Sequence, residues 1–161
     1  MLGYPSFYYI WVKFLNLENF LKNFIKDFPT NAFPEMEHKK NRPYIVLLVK
    51  ISELTFAIPF RTNIRHSFCY KFKNSDRNTV SATGIDFSKA VIISKETYLG
   101  EETDINDKEY LELQSKYFFI INKFKKYVRG YLLLKQNKGN EYLEKRYKYS
   151  TLKYFDDLLH R

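Results

Sequence analysis

The chain has 161 residues, 45% of them hydrophobic and 28% charged, which excludes a disordered protein, because apolar area of that order offsets the entropy of ordering. One domain spanning residues 1–161 is the simplest division of this length. Twenty-seven Lys and Arg against eighteen Asp and Glu leave a net charge of +9, which favours a polyanionic partner without specifying a sequence preference.

Aromatic residues make up 19% of the chain, with 14 Tyr and 15 Phe. Interleaved with cations, such rings can stack unpaired bases, although a Phe-rich core with Tyr at its rim accounts for most of them. Cys69 is the only cysteine, so no internal disulfide and no Cys-based zinc site is expected. It lies between Phe68 and Tyr70 on an expected strand, as a buried and inert thiol. The apolar start "MLGYPSFYYIWVKFL" is shorter than a spanning helix and lacks the basic start and cleavage site of a signal peptide. A soluble cytoplasmic protein with no membrane partner is the expectation.

In chain order, "FYYIWVKFL" reads as an opening strand, and "ENFLKNFIKDF" as an amphipathic helix ended by Pro29. "PTNAFPEMEHKKNRP" reads as a long loop of the kind that is often functional. "YIVLLVKI" is a continuous apolar run, expected as a buried central strand, and "LTFAIPF" a second strand with Phe56, Ile58 and Phe60 on one face. The short "ISEL" between them suits a hairpin. "SFCYKFK" alternates again, with Phe68, Tyr70 and Phe72 on one side; "GIDFSKAV" carries a turn at Gly84, and "AVIIS" is a further short strand. From residue 106 the period becomes helical, with Leu111, Phe118, Ile121, Phe124 and Val128 on the apolar stripe. Asn106 or Asp107 is the expected N-cap, and Gly130 a break or kink. "NKGNEY" is a loop, and the basic segment from Glu141 to the end is helical. This order gives an α+β domain built round an antiparallel sheet.

Several kinds of chemistry find no support. Asp104, Asp107 and Glu109 are the best carboxylates for a metal site, but they sit at a helix start that favours acids anyway. No P-loop, Gly-rich nucleotide fingerprint, HExxH or Ser-His-Asp arrangement is present. Neither a metal nor another cofactor is expected.

The polar connection in "IPFRTNIRHSFCYKF" is different. Metal-free RNA cleavage needs an activated 2′-oxygen, cations or donors for the phosphorane, and a proton for the leaving 5′-oxygen. Arg61 and Arg65 can counter developing charge with forked donors, and Thr62 and Asn63 can hold phosphate oxygens. His66 brings the side chain best suited to passing a proton near neutral pH. An exposed turn with an ordinary strand-edge histidine is the competing reading of the same residues.

The stretch "NRPYIVLLVKISELTFAIPFRTNIRH", together with "GIDFSKAVIIS", an acidic linker and a long helix, resembles the type III toxin–antitoxin toxins, the ToxN, AbiQ and CptN group of endoribonucleases. The likeness covers roughly residues 7 to 130 and is nearest to the CptN branch. It implies a strongly bent antiparallel sheet of the MazF/Kid-like barrel type with flanking helices. It also implies metal-independent cleavage of cellular or phage RNA to 2′,3′-cyclic phosphate and 5′-hydroxyl ends. Inhibition by a repeated pseudoknot RNA, assembled with the toxin into a closed hetero-oligomer, is implied too.

Carried over by position, Thr62 matches the hydroxyl residue lining the family's active site, flanked by Arg61 and Asn63. Arg65 or His66 stands where relatives carry a lysine, and Arg42 matches another basic active-site residue. The usual Ser-Pro-Lys segment is replaced here by "TNIRH", so the identity of the acid is open, with His66 favoured over Arg65. Tyr44, Lys50 and Tyr70 are candidates for RNA contact, core packing being the competing role for Tyr70. Lys145, Arg146 and Lys148 on the basic terminal helix are candidates for gripping antitoxin phosphates, or form a solvated face. A non-catalytic basic RNA-binding module is the alternative to the enzyme.

Overall fold

The computed structural model describes residues 12–15, 23, 26–29, 31–36, 44–78 and 80–160. Six strands form one antiparallel sheet: β1 (Val12–Leu15), β2 (Tyr44–Ile51), β3 (Leu54–Arg61), β4 (Cys69–Lys71), β5 (Gly84–Asp86) and β6 (Val91–Ile92). Their order is β1-β2-β3-β5-β4, with β6 also pairing β3. The helices that lie wholly within the described residues are α1 (Asp107–Gln136), α2 (Glu141–Tyr147) and the short α3 (Asp156–Leu159). The class is α+β, as expected.

The β2–β3 hairpin is the centre of the sheet. Its two apolar runs pair from Val46↔Pro59 to Ile51↔Leu54, and the tight turn places Ser52 at a positive φ of 54°. Residues 56 to 60 are all buried, so β3 is covered on both faces and not only on the Phe56, Ile58 and Phe60 side.

One edge of β3 is shared by two strands. Phe60 faces Ile85 while Phe56 faces Ile92, so four residues along β3 correspond to seven along the partner segment. The surplus is taken up by a 3-10 turn, Phe87–Lys89, which interrupts the pairing as a bulge does. Asp86 caps that turn, its side chain accepting from the Ser88 N–H. Gly84 is thus part of a strand, not a turn. Its missing side chain still matters, because a Cβ there would overlap the Tyr70 carbonyl oxygen of β4.

Helix α1 starts at the Asn106 cap, whose side chain accepts from the Lys108 and Glu109 N–H groups, and runs unbroken through Gly130. Its core stripe is Leu113, Ile120, Ile121, Phe124, Tyr127, Val128 and Tyr131, with Phe124 packed against Phe56 at 5.3 Å and Phe87 at 5.4 Å. Leu111 and Phe118, expected on that stripe, are exposed. The core-facing positions of the first turns are filled instead by Glu109, Glu112 and Leu113. Acids are tolerated there because the 73–77 segment supplies donors. Glu109 pairs with Arg77 at 2.8 Å and accepts from the Ser75 hydroxyl; Glu112 accepts from the Lys73 and Asn74 N–H groups and the Tyr70 hydroxyl. Gly130 neither breaks nor kinks the helix. It leaves room for the Tyr147 hydroxyl, which occupies the place a Cβ would take and donates to the Tyr127 carbonyl at 2.8 Å.

The C-terminal segment is not one helix. Ser150 caps a 3-10 turn at Thr151–Phe155, and Thr151 donates to the Ala90 carbonyl, fastening the segment to the start of β6. Of the expected opening strand Val12–Leu15 form β1 and the remainder lies outside the described residues, as does most of the expected helix before Pro29. Among the described residues no helix is long and apolar enough to cross a membrane.

Candidate functional site

The β3 strand ends at Arg61, and the chain then leaves the sheet through residues 62–68 before re-entering it as β4. Three bonds shape this loop. Asn63 takes a left-handed φ of 59°, a conformation its short amide tolerates, and its Oδ1 accepts from the Ser81 hydroxyl at 2.6 Å. The buried Ile64 donates its N–H to the Ala82 carbonyl at 3.0 Å. The Cys69 thiol donates to the His66 carbonyl at 3.3 Å, and burial pushes that thiol up from its ordinary pKa, as befits a structural cysteine.

The loop is built beside a buried carboxylate. Asp86 is fully buried, and four donors converge on it. The Ser88 N–H and hydroxyl reach Oδ1 at 3.0 and 2.7 Å, while Arg61 Nη1 and His66 Nε2 reach Oδ2 at 2.6 and 3.3 Å. The β3–β5 register explains the Arg61 contact: Arg61 faces Gly84, so its side chain lies on the same sheet face as that of Asp86, two residues on. The Arg61 and His66 side chains are 24% and 35% exposed, so each has one side on Asp86 and another toward solvent.

His66 has both ring nitrogens engaged. The Phe68 N–H donates to Nδ1 at 3.2 Å, which makes Nδ1 the acceptor and puts the ring proton on Nε2, directed at Asp86. A carboxylate holding one nitrogen while the other carries the basic lone pair is the arrangement that orients a proton-transferring imidazole. Phe68 also stacks on the ring, with centroids 5.9 Å apart and planes 26° apart.

Of the five residues expected in this loop, the structure gathers Arg61 and His66 round Asp86. Thr62 and Arg65 are exposed, and neither side chain has a partner among the described residues, which leaves both available to a ligand. Asn63 is spent in part on the turn and on Ser81.

The wider set divides. Tyr44 begins β2, level with Arg61 when the hairpin register is continued, and Arg42 lies outside the described residues. Lys50 is exposed but faces Thr55 near the hairpin turn, six residues along β3 from Arg61, or about 20 Å away. Tyr70, a candidate for RNA contact, is a core residue. It is buried and donates to Glu112 at 2.7 Å; burial, then the Glu112 carboxylate, raise its phenol far above the ordinary value. Lys145, Arg146 and Lys148 are all exposed, and only Arg146 is joined to the loop, its guanidinium 4.7 Å above the Phe68 ring.

Two residues escaped the sequence reading. Asp86 was hidden because its pairing depends on register with a strand 25 residues earlier, although the Asp-Phe-Ser pattern carries the signature of a self-capping turn. Lys71 is the second. It faces Gly84 from the other side, so Arg61, Gly84 and Lys71 form one row across three strands, the Arg61 and Lys71 backbones about 10 Å apart.

A groove of about 680 Å³ lies elsewhere, between residues 73–75 and the first turns of α1, lined by Lys73, Lys108, Lys116 and Leu111 among others. None of the loop residues borders it. Compared with protein-family models, curated proteins and solved structures, the chain has no match.

Proposed function

We propose that this chain is a metal-independent endoribonuclease that cuts RNA by attack of a 2′-hydroxyl on the adjacent phosphorus. The observation that carries the reading is the convergence of Arg61 and His66 on buried Asp86, with Arg65 and Thr62 exposed on the same loop. In this account Arg65 takes the scissile phosphate with Arg61 beside it, and Thr62 donates to one of its oxygens. The 2′-hydroxyl gives up its proton to solvent as its oxygen bonds to phosphorus, and the bond to the 5′-oxygen breaks, giving a 2′,3′-cyclic phosphate and a 5′-hydroxyl. His66 supplies the proton to the leaving oxygen from Nδ1, while Asp86 holds Nε2 and supports the charged ring. A protonated Nδ1 no longer accepts from the Phe68 N–H, so that bond opens when the ring is charged.

The sequence resemblance extends the proposal to a type III toxin. Cellular or phage RNA is then the substrate, and a repeated pseudoknot RNA the inhibitor, held in a closed toxin–RNA assembly. In that reading the sheet is the bent MazF/Kid-like core, a bend supported by the split of one β3 edge between β5 and β6. The net charge of +9 suits an RNA partner of either kind.

One observation favours the second reading, a non-catalytic RNA-binding module: both nitrogens of His66 already have partners within the chain. Kinetics on RNA in EDTA separate the two. With His66 as the acid, His66→Ala lowers turnover by roughly 10²- to 10⁴-fold while RNA binding stays within a few-fold. Full turnover in that variant removes His66 from the mechanism.

A further inference from the structure

We propose that Arg146 is a positioning residue for His66: its guanidinium clamps the Phe68 ring, and Phe68 holds the imidazole by stacking and, while the imidazole is neutral, by its backbone N–H. The inference rests on the reading of His66 as the proton-transferring group.

Phe68 touches His66 twice. Its ring lies 5.9 Å from the imidazole with the planes 26° apart, and its N–H donates to Nδ1 at 3.2 Å. Phe68 therefore supplies both the ring that the imidazole rests on and the donor that fixes the neutral tautomer. Phe68 is partly exposed, so it needs holding from outside. Tyr127 of α1 supports it at 6.0 Å, and the Arg146 guanidinium covers it at 4.7 Å, inside the range of an attractive cation–aromatic contact.

Arg146 is in turn fixed by its neighbour. Tyr147 is buried, its hydroxyl donates to the Tyr127 carbonyl, and it fits only because residue 130 is Gly. The Tyr127 hydroxyl donates to Ser150 at 2.9 Å, tying the end of the same segment to α1. Helix α2 is thus locked in place, and Arg146 is carried to Phe68 as a consequence. Lys145 and Lys148, its basic neighbours, make no such contact with the loop among the described residues.

This role is distinguishable from gripping phosphate. A positioning guanidinium acts by covering the ring with its broad planar group, which the compact ammonium of lysine does not reproduce. A phosphate contact needs only charge, and shows in binding and in salt dependence.

The test combines steady-state RNA cleavage with nitrogen NMR of the His66 ring in the full chain. Arg146→Ala is expected to lower kcat by about 3- to 10-fold with KM nearly unchanged, the loss of a contact of this class. Arg146→Lys is expected not to restore it. Phe68→Leu, which keeps the N–H and removes the ring, changes kcat in the same direction. In the free protein, Arg146→Ala shifts the ring nitrogens away from the Nε2–H tautomer and speeds exchange of the Phe68 amide. A raised KM, intact kcat, a salt slope smaller by about one and rescue by Arg146→Lys would make Arg146 a phosphate contact and overturn the proposal. Should the wild-type chain not cut RNA, the ribonuclease reading fails by itself. The NMR arm still decides the clamp: altered His66 signals in Arg146→Ala uphold it, and unaltered ones overturn it.

Discussion

Arg61 and Asp86 meet at 2.6 Å where β3 leaves the sheet, joining the start of the polar loop to the bulge that splits the strand's edge. Asp86 is fully buried and the guanidinium is about a quarter exposed. Removing the carboxylate takes one partner from Arg61, one from His66 and that of the Ser88 donors together. Asp86→Ala is expected to cost about 2–4 kcal/mol, below the full penalty for opening a wholly buried pair because water screens part of the guanidinium. Urea unfolding measures it. A loss under about 0.5 kcal/mol would mean that Asp86 does not organise the loop.

Gly130 and Tyr147 give a coupled prediction. An added methyl at 130 collides with the Tyr147 hydroxyl, itself bonded to the Tyr127 carbonyl. Overpacking of this kind costs about 1–3 kcal/mol, partly offset by the roughly 1 kcal/mol that Ala gains over Gly in a helix. Gly130→Ala should therefore be destabilising on its own. Combined with Tyr147→Phe, which removes the colliding oxygen, it should be near neutral or stabilising relative to Tyr147→Phe alone. Additive effects of the two substitutions would contradict the packing account.

At Gly84 the obstacle is backbone. A Cβ would overlap the Tyr70 carbonyl oxygen, and a neighbouring strand cannot swing aside as a side chain can. Gly84→Ala is expected to cost about 3 kcal/mol, more than Gly130→Ala, measured by the shift of the urea midpoint.

Glu112 sets a pH dependence. Burial pushes its carboxyl up, but the Lys73 N–H, the Tyr70 hydroxyl and the Asn74 N–H together outweigh burial and hold it below its ordinary value of 4.5. The unfolded chain then binds a proton in an interval where the folded one does not. This contribution is fully present above pH 4.5 and is lost as the pH falls through the lowered folded value. Unfolding midpoints between pH 7 and 3 should fall less steeply below about 4.5 for Glu112→Gln than for the wild type. Parallel profiles would remove Glu112 from the acid limb.

The parts of the fold that the sequence made legible are those set by local pattern. The β2–β3 hairpin follows from two apolar runs with a short turn, and the start of α1 at Asn106 or Asp107 from helical spacing, whereas the break or kink expected at Gly130 does not occur. The less legible parts depend on which elements come together. The first turns of α1 bury Glu109 and Glu112 and expose Leu111 and Phe118, a reversal made possible only by the donors of residues 70–77. The loop from Arg61 to His66 could be singled out by its residue types, but its carboxylate partner could not. The β3–β5 register and the 3-10 turn bring Asp86 to it, and neither is written in local periodicity. Arg146 stood out as one cation on a basic helix. Its contact with Phe68 exists because Gly130 admits Tyr147, a packing relation between residues far apart in the chain.

The central claim is metal-free transesterification by the Arg61–His66 loop, and one measurement addresses it most directly. The purified chain is incubated in EDTA with an RNA it binds, and with the same strand carrying single 2′-deoxy substitutions, and the product ends are identified. The account predicts cleavage that resists EDTA, leaves 2′,3′-cyclic phosphate and 5′-hydroxyl ends, and disappears when the nucleotide 5′ to the cut lacks its 2′-hydroxyl. Binding without cleavage, or cutting that survives loss of that hydroxyl, would contradict it.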